Sequence, residues 1–305
     1  MPPTTRQPTA HPNALPVSVK PIAWPLDALR RAVEPDLPGF MCEVLPVVDS
    51  TNSELMRRFK AGQLAPTLLV AEQQTAGRGR LGRQWHSARG DSLTFSLGMM
   101  LSPAAWSGLS LAVGVSLADS LDPNSKSADA LHIGLKWPND LWLAGPPGIE
   151  HKLAGVLIET AVWEGMRYAV IGVGMNVRPL TSAAGKSVAA SAAAPPGHLQ
   201  QLLPLLDAAG TLLQVVPPLV RAVQSFAQFG FEPFQARFAA RDVLAGRAVN
   251  LSDGGHGLAQ GVTIDGGLKV QTESGVVVVA SSEVSVRPAG EPGSDAAATG
   301  GSAPC

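Results

Sequence analysis

Residues Gly77-Arg78-Gly79-Arg80-Leu81-Gly82-Arg83-Gln84-Trp85 put three guanidinium groups and three glycines within seven positions, in a chain of formal net charge -1. Arginine presents a rigid fork that matches carboxylates and phosphates. Glycine lets backbone N–H groups come close to a ligand. The run therefore points to a ligand carrying a carboxylate, phosphates or both. It also reads as a solvated loop, or as a phosphate-backbone patch for nucleic acid. The latter lacks interleaved aromatics, and the rest of the chain is not basic.

Read as a pattern, Gly77 to Gly82 matches G-x-G-x-x-G, the dinucleotide fingerprint, which belongs between a strand and a helix with an acidic residue about 20 positions on. A strand is expected over 67–71, but six residues lead off it, residues 91–101 read as another strand, and no acidic residue lies near position 100. The dinucleotide reading fails. Gly185-Lys186-Ser187 imitates the end of a P-loop, but Leu180 stands where its first glycine belongs.

Four further groups carry chemistry. Asp49-Ser50-Thr51-Asn52-Ser53 lies between an expected strand (43–48) and helix (54–60). Thr51 with Glu54 fits a capping box, while Ser50 or Asp49 fits the cap equally well. Capping and ligand binding are compatible, because a helix N-terminus keeps spare donors. In Lys136-Trp137-Pro138-Asn139-Asp140 the proline cannot donate to a ladder, so the strand over 131–143 must break there. The break gathers Lys136, Asn139 and Asp140, with Trp137 and Trp142 as apolar anchors; an ordinary turn is the plainer reading. Lys152 opens an expected strand, where a solvated lysine is the common case. Asn176 ends another, where a buried amide needs partners.

The elements that must position these groups follow from composition and period. Residues 1–42 hold nine prolines and read as an arm with one short helix over 25–33, leaving no room for a three-helix DNA-reading module. A helix is expected over 104–121, buried rather than membrane-spanning because serines, glycines and Asp119 interrupt it. Strands over 152–160 and 168–177 pair across 161–167. Residues 181–198 are low in complexity and read as a connection. Residues 199–243 read as helical, with breaks at Pro217-Pro218 and Pro233. Five short strands (247–251, 257–264, 268–272, 276–280, 283–287) suggest a small barrel. Residues 289–305 read as a tail. Two distant cysteines, Cys42 and Cys305, form neither a disulfide framework nor a metal set, which suits a reducing cytoplasm. The first residues contain no apolar signal segment.

Taken together and in order, Gly77 to Trp85, Lys136 to Asp140, Lys152-Leu153-Ala154-Gly155 and Gly172-Val173-Gly174-Met175-Asn176 resemble biotin–protein ligases. Ser50-Thr51-Asn52 and residues 283–287 fit the same family, so the resemblance runs over about 43–287. Ser282 replaces the family's usual glycine before Glu283.

This resemblance implies an α+β fold: a catalytic domain like class II aminoacyl-tRNA synthetases, a mixed sheet with flanking helices, over 43–243, and an SH3-like β-barrel over 244–288. It implies the ligase-only type, joining biotin to ATP as biotinyl-5′-AMP and passing biotin to a lysine of a biotin carboxyl carrier protein, such as that of acetyl-CoA carboxylase. Arg80, Lys152 and Asp140 are the implied catalytic residues. Ser50, Thr51, Asn52, Gln74, Arg78, Gly79, Arg80, Lys152 and Gly155 would bind biotin. Arg80, Arg83, Asn139, Asp140, Lys152 and Asn176 would bind ATP, with Asp140 as ligand to Mg2+. A cytoplasmic monomer or homodimer is implied, with no nucleic-acid or membrane partner. The related lipoate–protein ligases carry an arginine pair followed by a glycine triplet, which is absent here.

Overall fold

Strands β3 (Ser92–Met100) and β7 (Met166–Asn176) are buried on both faces along most of their length, so they lie in the middle of a sheet rather than at its edge. The computed structural model describes residues 21–124, 130–146, 149–179, 196–280 and 286–288. The P-loop-like Gly185-Lys186-Ser187, most of the connection, Ser282, Glu283 and the tail lie outside the described residues.

The seven strands β1 (Met41–Val48), β2 (Thr67–Gln74), β3, β4 (His132–Lys136), β5 (Asp140–Ala144), β6 (Glu150–Trp163) and β7 form one sheet in the order β1-β2-β3-β7-β6-β5-β4. Only β1 and β2 pair in parallel; the other neighbours are antiparallel. Helices α1 (Leu26–Val33), α3 (Leu109–Leu121) and α4 (Ala208–Phe229) cover one face, and α2 (Thr51–Lys60) packs on β2, β3 and β7 of the other. The larger core lies under the first group; Leu55, Phe59, Leu69, Tyr168 and Val170 make a smaller one under α2.

Helix α5 (Glu232–Ala239) leads into an antiparallel sheet of β8 (Ala248–Leu251), β9 (His256–Val262), β10 (Leu268–Thr272), β11 (Gly275–Val279) and β12 (Val286–Pro288), ordered β11-β10-β9-β8-β12. This sheet touches the site-bearing part through a buried bond: Trp137 Nε1 donates to the Gly266 carbonyl at 3.0 Å. A mixed sheet with flanking helices and a separate antiparallel sheet agree with the expected α+β class.

Three local expectations need correction. Helix α3 begins at Leu109, not 104, because Gly108 (φ +84) makes a left-handed entry and packs on Phe231. The β6–β7 hairpin turns tightly at Glu164-Gly165, both at positive φ, so its strands are longer than expected. Pro217-Pro218 does not break α4. The carbonyls that lose their helical donors belong to Leu213 and Gln214, both on the exposed side, where water reaches them. The helices part at Gly230 (φ 68) and Phe231, just before Pro233, which sits in the first turn of α5.

Candidate functional site

Strand pairing lays a floor of small residues across the α2 face of the sheet. Asp140 stands opposite Gly155, Gly155 opposite Gly174, Gly174 opposite Thr94 and Thr94 opposite Ala71. In the next row Leu157, Gly172, Ser96 and Leu69 follow one another in the same way. Directly paired residues share a face, so the glycines leave a trough between α2 and the β4–β5 hairpin.

One wall is the N-terminus of α2. Ser50 caps it, accepting from Ser53 N–H at 3.4 Å, and Thr51 is the first helical residue. The alternative of Thr51 as cap is excluded because its groups face elsewhere. Its N–H donates to Gln74 Oε1 at 2.8 Å, and its hydroxyl lies 2.6 Å from Ser96 Oγ. Ser50, Thr51 and Asn52 are each 3% exposed, so these bonds form away from water. Arg57 grips Asp49 at 2.7 and 2.8 Å and holds its carboxyl down at about 2.

Proton counting fixes the direction of this network. Asn52 Nδ2 donates to Glu159 Oε2 (2.8 Å) and to the Leu157 carbonyl (3.3 Å), so its Oδ1 must accept. Ser96 Oγ therefore donates to Asn52 Oδ1 at 2.6 Å, and it also lies 2.6 Å from the Thr51 hydroxyl, which donates to Gln74 Oε1 at 3.2 Å. Gly172 is required here, because a Cβ would collide with Asn52 Oδ1.

The arginine run forms the cover. It is a short hairpin: Trp85 N–H donates to the Gly77 carbonyl (2.9 Å), Gly79 N–H to the Arg83 carbonyl (2.7 Å), and Arg78 bridges Gln84. The tip at Arg80–Gly82 turns through Leu81 (φ 54) and Gly82 (φ 71). The Gly79 N–H is thus engaged within the hairpin, and the Arg78 and Arg80 side chains are what reach the sheet, while Arg83 is exposed. Arg78 bonds both Glu159 oxygens at 2.8 and 2.9 Å. Arg80 lies 3.4 Å from Asn139 Oδ1. Burial pushes its guanidinium below the ordinary value, Asp140 opposes that shift, and the like charge of Arg83 adds to it. The Trp85 ring rests on Gly174, where any Cβ would collide with it.

The far wall is the β4–β5 hairpin, whose break at Pro138 is as expected. Asn139 Nδ2 donates to the Val156 carbonyl at 2.8 Å and fixes the turn on β6. In a regular ladder Lys152 and Gly155 would face opposite ways. A bulge in β6 shifts the register between Leu141 and Trp142, which sets Lys152 opposite Trp142. Lys152 then shares the face of Asp140, and its Nζ lies 2.7 Å from Asp140 Oδ1. Lys136, 8% exposed, sits with Nζ 4.0 Å from the Trp142 ring centre. Asn176 Nδ2 donates to the Gly197 carbonyl (3.0 Å) and the Lys152 carbonyl (3.4 Å), while its buried Oδ1 has no hydrogen-bond partner among the described residues.

The structure thus brings together Arg80, Asn139, Asp140, Lys152 and Gly155 at one end of the trough, with Asn176 bonded to the Lys152 backbone. Ser50, Thr51, Asn52, Gln74 and Arg78 meet at the other end. Two members went unread in the sequence: Ser96 and Glu159. Ser96 had a signal, since Ser92, Thr94 and Ser96 alternate with Leu93, Phe95 and Leu97. Glu159 had none, because an acidic residue inside an apolar strand carries no mark of its partners.

A family model described as the biotin/lipoate A/B protein ligase family matches residues 44–176. The bifunctional ligase/repressor BirA of Salmonella typhimurium is 34% identical over 260 residues, covering 81% of this chain and 74% of that protein. The chain belongs to this ligase family. The corresponding protein of Escherichia coli is 33% identical over 263 residues, covering 83% of this chain and 76% of its own length. Among solved structures, a biotin protein ligase from Aquifex aeolicus in complex with biotin and ATP is 29% identical, with a TM-score of 0.64, over 81% of this chain and 98% of that one. The family match runs from β1 to the end of β7, so every strand of the floor, the hairpin cover and both walls fall within it.

Proposed function

We propose that this chain is a biotin–protein ligase. It joins biotin to ATP as biotinyl-5′-AMP, releasing pyrophosphate, and transfers biotin to a lysine of a biotin carboxyl carrier protein. The observation that carries this reading is the convergence of Arg80, Lys152 and Asp140 at one end of a glycine-floored trough whose other end gathers the hydrogen-bonding groups of Ser50, Thr51, Asn52 and Gln74 beside the Arg78–Glu159 pair. A ring with polar edges suits the corner, and a carboxylate meeting a phosphate suits the cationic end.

In this reading Ser50, Thr51, Asn52 and Gln74 hold the biotin ring system, and Arg78, Gly79 and Gly155 line its path. Lys152 and Arg80 bring the biotin carboxylate and the α-phosphate together and offset the charge that builds between them. Arg83, Asn139 and Asn176 hold the nucleotide. Among the described residues no group of three or more His, Cys, Asp or Glu is placed to hold a metal. Asp140 beside Asn139 still fits a Mg2+ that arrives on nucleotide phosphates, since such an ion takes one or two carboxylates and completes its shell from phosphate and water. When bound, that ion neutralises phosphate charge; Asp140 would hold it and keep Lys152 oriented.

The same reading makes residues 43–243 a catalytic domain like class II aminoacyl-tRNA synthetases and 244–288 an SH3-like barrel, between a proline-rich arm (1–42) and a tail (289–305). It makes the protein a cytoplasmic monomer or homodimer acting on a carrier protein rather than on nucleic acid or membrane. No helix among the described residues is long and apolar enough to cross a membrane. The test is transfer of labelled biotin to a purified carrier domain. Label on the carrier that requires ATP supports the proposal; none with ATP present refutes it.

A further inference from the structure

Glu159 belongs to no role assigned above, yet it is where the floor and the cover meet. Its Oε2 accepts from Asn52 Nδ2 at 2.8 Å and from Arg78 at 2.8 Å, and Oε1 takes a second bond from Arg78 at 2.9 Å. Resting on the ligase reading, we propose that Glu159 is a positioning residue that fastens the arginine hairpin to the sheet and so keeps the acyl-adenylate enclosed until the carrier lysine arrives.

Three observations argue for this. Within the hairpin, the bonds between Gly77 and Trp85 and between Gly79 and Arg83 close it on itself and do not hold it down. Its attachments to the sheet include Arg78 on Glu159, Arg80 on Asn139 and Trp85 on Gly174. Glu159 sits on β6 opposite Val170, within the long β6–β7 ladder, and is therefore a fixed anchor.

The second observation is polarity. The Leu157 carbonyl can only accept, so it obliges Asn52 to present its Nδ2 group there and to Glu159. A glutamine at 159 can still accept from Asn52 through its carbonyl, but it offers Arg78 no anion. Glu159→Gln thus separates fastening the cover from building the floor. The third is exposure: the Arg78 side chain is 47% and the Glu159 side chain 25% accessible. A pair so placed is weak enough to open and close, as an acyl-adenylate site must.

The experiment uses the full chain with Glu159→Gln, Arg78→Gln and both together. Limited trypsin digestion without ligands should cut after Arg80 and Arg83 about three- to tenfold faster in each single variant, and no faster in the double variant. With biotin and ATP but no carrier, each single variant should release biotinyl-AMP to solution faster by a similar factor, and its KM for biotin should rise more than kcat falls. Should Glu159→Gln melt early, Arg78→Gln, at an exposed position, carries the same comparison. Cutting and release at the unmodified rate, or effects that multiply in the double variant, would overturn the proposal. Absence of biotin-dependent pyrophosphate exchange in the unmodified chain would instead overturn the ligase reading, with the trypsin arm still deciding whether Glu159 fastens the hairpin.

Discussion

Lys152 faces Asp140 because β6 carries an extra residue, and this separates what a single residue reveals from what its surroundings add. The lysine, Asp140 and the arginines were legible as charged groups in a recurrent order, but their juxtaposition depends on a bulge that no local pattern announces. If Lys152 holds the proposed role, Lys152→Ala should lower biotin-dependent pyrophosphate exchange by about 10²-fold or more, by removing a cation from the reacting carboxylate. Its ion pair is partly exposed, so the melting temperature should fall by no more than about 2–4 °C. A parallel loss of both would make Lys152 structural. The glycines divide in a way the motif concealed. A Cβ at Gly79 would meet Arg83 at an ordinary 3.5 Å, whereas one at Gly172 strikes Asn52. Gly172→Ala should cost about 1–3 kcal/mol and raise the KM for biotin, while Gly79→Ala should stay within about 0.5 kcal/mol; equal effects in melting and kinetics would contradict this.

At the scale of elements, alternation and apolar runs revealed most strands, and the break at Pro138 followed from proline's missing N–H. The errors came from reading prolines and loops without their surroundings. Pro217 and Pro218 sit on the half-exposed side of α4, whose buried side (Leu212, Val215, Val216, Leu219) holds the helix together. Replacing Pro218 by alanine restores a helical donor to the Gln214 carbonyl. It should stabilise the protein by about 1–3 kcal/mol, read as a melting point several degrees higher with ligase activity unchanged. A lower melting point would mean that the proline ring's packing outweighs the missing bond. The turn at Glu164-Gly165 escaped notice because glutamate seldom occupies a position of positive φ.

Over the whole molecule, the order of the motifs pointed to the family, but contacts between distant segments could not be read from them. Trp137 was expected as an apolar anchor; its N–H binding Gly266, 129 residues away, was not. Trp137→Phe keeps most of the packing and loses that bond, so it should cost about 0.5–1.5 kcal/mol in melting. It should also reduce pyrophosphate exchange, because Asn139 and Asp140 follow it directly. Unchanged melting and exchange would make the C-terminal sheet a mere appendage to this site. Beside the same junction, burial raises the Asp242 carboxyl to about 6 against an ordinary 3.8, although the Leu244 N–H opposes it. The folded chain therefore holds this proton more tightly than the unfolded one. Stability is undiminished below the unfolded value, falls as pH rises through about 6, and is then lower by on the order of 1–3 kcal/mol. Asp242→Asn should thus gain more in melting temperature over the unmodified chain at about pH 7.5 than at about pH 4.5; a constant difference would contradict this assignment. The central claim is that the arginine hairpin and Lys152 unite a carboxylate with the α-phosphate of ATP, and its most direct measurement follows α-labelled ATP with biotin and no carrier. A labelled biotinyl-AMP should form in the unmodified chain and be lost in Arg80→Ala. Adenylate formed equally well by Arg80→Ala, or by neither protein, would contradict the claim.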